Sequence, residues 1–432
     1  MKGRRGGFMV IGLLIATGWT STQAQEQTVG LFLNDDRAYE GYTLLPPLFH
    51  NTTYLISNDG LAVHSWEHER GPAGATYLLP NGNLLRGSLT INPALNFGGL
   101  GGRMQEVAWN GDVVWEFVYS DSLHALHHDM ATLPNGNVLM IAWEYHSVAD
   151  AVAAGRNPDL LQGGALWAEQ IIEVRPTPPV GGEIVWKWHL WDHLIQDFDS
   201  TKANFGVVEE HPELADVNYG AAPNADWIHM NSLNYNAELD QIILSAPGFR
   251  EFWVIDHSTT MEEAAGHTGG RSGKGGDFLY RWGNPPAYRA PISGDPQLRV
   301  QFTHDVQWIE PGLPGAGNIL VFENGQNSGF SSVRELAPVI DENGAYALAP
   351  DGSFSPPELV WNYEQPDVFF SIFASGEQRL PNGNTLITEA QSGRIFEVTP
   401  ENDIVWEYVN PVASQGPLVQ GDSIPRFNPA RP

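Results

Sequence analysis

The chain has 432 residues, 42% apolar and 11% aromatic, with 46 Gly, 31 Pro, 15 Trp and no Cys. This composition fits many short strands joined by turns, not a helical protein, and zero cysteines exclude thiol catalysis, thiolate zinc sites and disulfide staples. A formal charge of −29 disfavours nucleic acid and anionic membrane surfaces as partners, and an anionic substrate would need a local positive patch within that field.

From the N-terminus, Lys2, Arg4 and Arg5 precede the apolar run FMVIGLLIAT (8–17) and the small-residue stretch STQA (21–24). This pattern predicts a secretory signal over 1–24 and a periplasmic or secreted mature protein. Without residues 1–24, which carry three cations and no acids, 19 Lys and Arg face 51 Asp and Glu, a formal charge of −32. The apolar run is too short to span a bilayer, and no later segment is long and apolar enough to do so.

Two kinds of strand pair then alternate. The first ends on tryptophan: YLISNDGLAVHSW (54–66), MQEVAWNGDVVWEF (104–117) and IIEVRPTPPVGGEIVWKW (171–188), followed by copies at 252–282, 333–363 and 395–408. Its six tryptophans are Trp66, Trp115, Trp186, Trp282, Trp361 and Trp406. The second pair surrounds a turn, as in TYLLPNGNLL, ATLPNGNVLM and QRLPNGNTLI, with looser copies at 232–245 and 307–322. Proline, asparagine and glycine in that order are hairpin chemistry.

Such pairs cannot bury both faces alone, so neighbours must stack, and radial closure protects their edges. The repeat predicts an all-β fold, a six-bladed β-propeller of four-stranded blades with a long insert around 143–225. That insert includes a predicted helical part at 189–198. The propeller is expected over 41–410, after an N-terminal extension at 25–40. Strands around 41–50 should supply the missing sixth inner pair, with 411–432 available to help close the ring. GGRSGKGG (269–276) lacks the GxxxxGK[ST] spacing of a phosphate-cradling loop.

Aligning the modules on the apolar residue that opens each turn, Leu79, Leu133, Leu233, Ile309 and Leu380, places Gly74, His128, His304 and Ser375 five residues before it, with His229 four residues before Leu233 at the corresponding strand entrance. Three blades therefore carry histidine, each near an acid (Asp129, Asp226, Asp305), at the entrance of the strand that borders the channel. Side chains at that position converge on the axis of a closed ring. Neutral imidazole is a nucleophile near neutral pH and imidazolium binds anions, which suits transfer of a sulfuryl or phosphoryl group. Three histidines also suit a metal-dependent hydrolase or lyase, and a non-catalytic ligand-binding propeller is a further alternative.

The series HHDMATLPNGN, DWIHMNSL, IILS…EFWVIDHS and HDVQWI…GNILVFENG, spread over roughly 40–410, resembles the bacterial aryl-sulfate sulfotransferases. The resemblance implies a six-bladed propeller and a secreted enzyme. It would move a sulfuryl group from a phenolic sulfate ester to a phenol through a sulfated histidine, with no nucleotide sulfate donor, cofactor or metal. By motif position it implies His304 as nucleophile and His128 and His229 as charge-stabilising histidines. The family's arginine after ILSS is replaced here by Pro247, which leaves Arg250 as the nearest guanidinium. Asn231 and Asn324 are expected as polar, substrate-binding neighbours.

Overall fold

The computed structural model describes residues 27–220, 224–292, 299–300, 302–341 and 345–424. The predicted signal segment lies outside them.

Six antiparallel sheets follow one another along the chain. Blade 1 has three strands, Tyr42–Leu45, Thr52–Ser57 and Ala62–Glu67. Blade 2 spans Pro72–Leu78 to Val113–Val118, blade 3 His124–Thr132 to Gly182–His189, blade 4 Leu233–Asn236 to Tyr280–Trp282, and blade 5 Thr303–Trp308 to Glu358–Glu364. Blade 6 runs from Gly376–Arg379 to Ile404–Val409 and gains Gly30–Asn34 as a fifth, outermost strand.

All six repeat tryptophans fall on the outermost of their blade's own strands, and Trp115, Trp186, Trp361 and Trp406 reach a described residue of the next blade by donating the indole N–H. Trp115 donates to Gly181 O at 2.8 Å, Trp186 to Thr259 Oγ1 at 3.2 Å, and Trp361 to Pro400 O at 3.1 Å. Trp406 donates to Asn58 O at 2.9 Å, which links blade 6 back to blade 1. Apolar clusters lie between every neighbouring pair of blades, including Leu45 and Ile56 against Ile395 and Trp406. The sheets thus form a closed six-bladed β-propeller, and burial between faces holds the ring.

The PNG turns form as the sequence requires. Gly82, Gly136 and Gly383 take φ of 84°, 84° and 93°. The asparagine after each, Asn83, Asn137 and Asn384, donates its amide to a glutamate of the third strand, Glu106, Glu173 and Glu397.

Three details depart from the sequence reading. Only one strand, Tyr42–Leu45, precedes the outer pair of blade 1, so this blade has three strands, not four. The 143–225 region is two segments, because Ala165–Pro176 and Gly182–His189 are the outer strands of blade 3. The 189–198 stretch is not a helix beyond one 3₁₀ turn, Leu190–Asp192. Leu194–Ile195 instead pairs in parallel with Ala215–Asp216, while the Gln196 side chain bonds Phe198 N–H and the carbonyls of Asp199 and Ala203. Burying Leu190, Leu194 and Ile195 against this second segment outweighs local helix propensity. Chain ends also meet: Gln420 Nε2 donates to Val29 O at 2.8 Å, and its Oε1 accepts from Thr28 N–H at 3.0 Å.

Candidate functional site

The innermost strands start at one mouth of the ring and run toward the PNG turns at the other. Those of blades 3, 4 and 5 each join the next by a polar staple. Asp129 accepts Leu233 N–H at 2.8 Å, Ser232 Oγ accepts Val306 N–H at 2.8 Å, and Asp305 accepts Glu377 N–H at 3.0 Å. Asp129, Ser232 and Asp305 are therefore equivalent, and the residues before them are His128, Asn231 and His304. Blade 4 thus corrects the sequence alignment: its register equivalent is Asn231. His229 stands two residues upstream, because its blade opens its turn after Asn236 and not at Leu233.

His229 nevertheless returns to the mouth. Its ring meets that of His128 at 4.6 Å and 83°, edge to face. Both residues hold left-handed backbone, with φ of 53° at His128 and 59° at His229, as do Asp305 (49°), Ala374 (49°) and Ser375 (83°). Each such non-glycine conformation costs about 1–2 kcal/mol, and strain of this kind clusters at binding and catalytic sites. The loop 90–101 closes over the pair: Phe97 packs edge-on to His229 at 5.6 Å, and Gly99 O accepts His128 N–H at 3.0 Å. A Cβ at Gly99 would fall 2.1 Å from the His128 ring, so the contact requires glycine.

The hydrogen bonds assign the ring nitrogens. Glu169, fully buried on the third strand of blade 3, bonds His127 Nε2 through Oε2 at 2.8 Å and accepts Met230 N–H through Oε1 at 2.9 Å. Burial raises the Glu169 carboxyl well above its ordinary range, with the nearby Asp226 charge adding to this, and burial lowers His127 to about 3. The pair is therefore neutral, with Glu169 O–H donating to His127 Nε2 and His127 Nδ1–H donating to His128 Nδ1 at 2.8 Å. His128 then carries its proton on Nε2. The His127 ring stacks on Trp143 at 4.1 Å, which fixes its plane. His229 Nδ1–H donates to buried Asp226 Oδ2 at 2.5 Å, leaving Nε2 as the nitrogen that exchanges protons.

His304 is held on both sides. Its Nε2 accepts Ala374 N–H at 3.1 Å, so Nδ1–H donates to Asn324 Oδ1 at 2.7 Å. Asn324 is fully buried and anchored to the carbonyls of Ser371 and Ala374; it orients His304 and does not line the channel. Asn231 does line the channel, and its amide donates to Thr303 O at 2.9 Å, next to His304.

Below this mouth lies a cavity of about 360 Å³ whose wall includes His304, Asp129, Asn231, Asp305 and Glu377. Among the described residues no lysine or arginine lines it. Glu377 is buried with both carboxylate oxygens unbonded, and burial, then the Asp305 charge, raises its pKa well above the ordinary range. Arg250 is exposed on the turn between the second and third strands of blade 4, at the histidine face but away from the cavity wall. It does not pair with Glu251, which bonds buried Arg281 at 2.6 Å. Sequence reasoning missed His127 and Glu169. The available signal was a lone acid inside the apolar run ALWAEQII, on a strand buried on both faces.

Fold and site together define a closed propeller whose mouth presents paired imidazoles with fixed tautomers. The arylsulfotransferase (ASST) family model matches residues 63–268, from the outer strand of blade 1 into blade 4. The match includes His128 and His229 and ends before His304. It supports aryl sulfotransferase activity in general terms. No curated relative matches the chain. Among solved structures, a protein of unknown function from Bacteroides caccae is similar at 12% identity and TM-score 0.46, over 91% of this chain and 99% of that one. A virginiamycin B lyase from Staphylococcus aureus (10%, TM-score 0.39, 90% and 88%) and the Cps50 (Swd1) β-propeller domain of Myceliophteria thermophila (10%, 0.41, 90% and 88%) are also similar.

Proposed function

We propose that the protein moves a sulfuryl group from a phenolic sulfate ester to a phenol through a sulfated histidine, without a nucleotide donor, in the periplasm or outside the cell. The observation that carries this reading is the set of assigned nitrogens. Asn324 holds His304 with its lone pair on Nε2, His127 holds His128 with its proton on Nε2, and Asp226 holds His229 with Nε2 exchanging protons.

In the first half-reaction His304 Nε2, releasing Ala374 N–H, attacks sulfur. The S–O bond to the aryl oxygen breaks, and the departing phenolate takes a proton from His229. His128 Nε2–H donates to a sulfuryl oxygen as charge spreads over it. In the second, His229 accepts the proton of the phenol acceptor, whose oxygen takes the sulfuryl group and frees His304. The acids on the channel wall suit a neutral acceptor better than a second anion.

Brief exposure to 4-nitrophenyl sulfate followed by peptide mass spectrometry tests the reading. One added sulfuryl group on the peptide containing His304, absent in His304→Asn, is the expected result. The Asp226–His229 pair favours a second assignment with His229 as nucleophile; modification of the His229 peptide instead would establish that one. No adduct on either peptide, with turnover intact, overturns the covalent route.

A further inference from the structure

A second group of imidazoles lies away from the mouth, where the segment after blade 3 meets the glycine-rich loop of blade 4. His193, on that segment, has a fully buried side chain and stacks parallel to Trp188 at 5.7 Å. His267 and Asp277 bracket the loop HTGGRSGKGGD. His193 Nδ1 and His267 Nδ1 each lie 2.8 Å from the same oxygen, Asp277 Oδ1. The three ligand atoms are all within 4.8 Å of one another.

We propose that His193, His267 and Asp277 bind one first-row divalent transition ion of the zinc class, which ties the blade 3 segment to the blade 4 loop. The decisive contact is on the far side of His193. Its Nε2 lies 2.8 Å from the Ala264 carbonyl, which can only accept, so Nε2 carries the proton. Nδ1 is then the His193 nitrogen turned to the carboxylate, and a second imidazole nitrogen converges on the same oxygen, the arrangement of ligands around one shared ion.

The Nε2–H to carbonyl bond is also the outer contact that metal-bound histidines make, fixing tautomer and ring plane. Bonds of about 2.0–2.2 Å to nitrogen and oxygen place ligand atoms roughly 3–3.4 Å apart. The cluster opens that far by rotation of His267, whose side chain is 58% exposed and leaves room for water to complete the coordination. Two imidazoles and a carboxylate without thiolate suit zinc, cobalt or nickel better than magnesium or calcium. The loop is shaped for His193: a Cβ at Gly276 would fall 2.6 Å from His193 Nε2 and 2.1 Å from Ala264 O.

Metal-stripped mature protein titrated with Zn²⁺ against a chromophoric chelator is expected to bind one equivalent at micromolar affinity or tighter. His267→Ala, at an exposed position that spares the fold, should weaken binding at least tenfold and remove the Zn²⁺-dependent rise in unfolding temperature. Co²⁺ loading should give a visible absorption band that His267→Ala loses. Absence of stoichiometric binding, or stoichiometric binding indifferent to His267→Ala, overturns the site. So does a nitrogen-15 spectrum showing His193 protonated on both nitrogens in the presence of excess zinc.

Discussion

Replacing Glu169 by glutamine tests whether the buried Glu169–His127 pair is neutral. A glutamine reproduces both bonds of a protonated carboxyl: its carbonyl accepts Met230 N–H, and its amide donates to His127 Nε2. Glu169→Gln should therefore match the wild type to within about 1 kcal/mol near pH 4 and be the more stable of the two near pH 7. Glu169→Ala strands both partners at about 1–3 kcal/mol each and leaves a cavity, for a total of about 3–5 kcal/mol. The pH dependence is sharper. In the wild type the fold retains a carboxyl proton that the unfolded chain gives up above its ordinary pKa of 4.5. The native state then binds more protons, and this contribution to stability falls as pH rises, by about 1.4 kcal/mol per unit, for as long as Glu169 keeps its proton. His127, lowered to about 3 from 6.5, acts oppositely below 6.5 and is common to both proteins. Urea unfolding of both at pH 5.5 and 7.5 should therefore show the variant gaining stability relative to wild type as pH rises. Parallel profiles, or a loss beyond about 2 kcal/mol at pH 7, would mean that Glu169 is ionised and that the nitrogens of His127 and His128 are assigned wrongly.

Gly99→Ala pushes a methyl into the His128 ring, so sulfuryl transfer should fall about 100-fold or more while circular dichroism keeps its strand signal. Glu377→Gln removes a buried carboxyl with a raised pKa; its unfolding temperature should exceed the wild type's by more at pH 8 than at pH 5. Arg281→Met leaves Glu251 buried without its partner and should cost about 3–5 kcal/mol in urea unfolding, part of which Glu251→Gln restores.

The ring was legible because each blade writes its own local code. A glycine after Pro-Asn fixes a turn, and a tryptophan on the outermost strand of each blade fixes the contact to the next. Blade 1 escaped because Tyr42–Leu45 has no turn signal before it and no strand on its inner side. The His128 and His304 positions follow from strand register. His229 reaches the mouth by another path, and counting residues cannot see that its blade opens its turn only after Asn236. Arg250 shows the same limit: its neighbours in sequence place it near the mouth, whereas its left-handed turn (φ 59°) leaves it in solvent. The ring nitrogens were beyond sequence altogether, since Glu169 and Ala374 lie far from His127 and His304 along the chain.

Because blade 1 lacks a fourth strand, Tyr42–Leu45 is an edge whose free amides and carbonyls face the pore. On an outer surface such an edge templates aggregation. Enclosed by five neighbours, it is out of reach of other copies of the protein. It adds backbone donors and acceptors to the pore wall, so an extended guest could dock there by main-chain pairing, whatever its side groups.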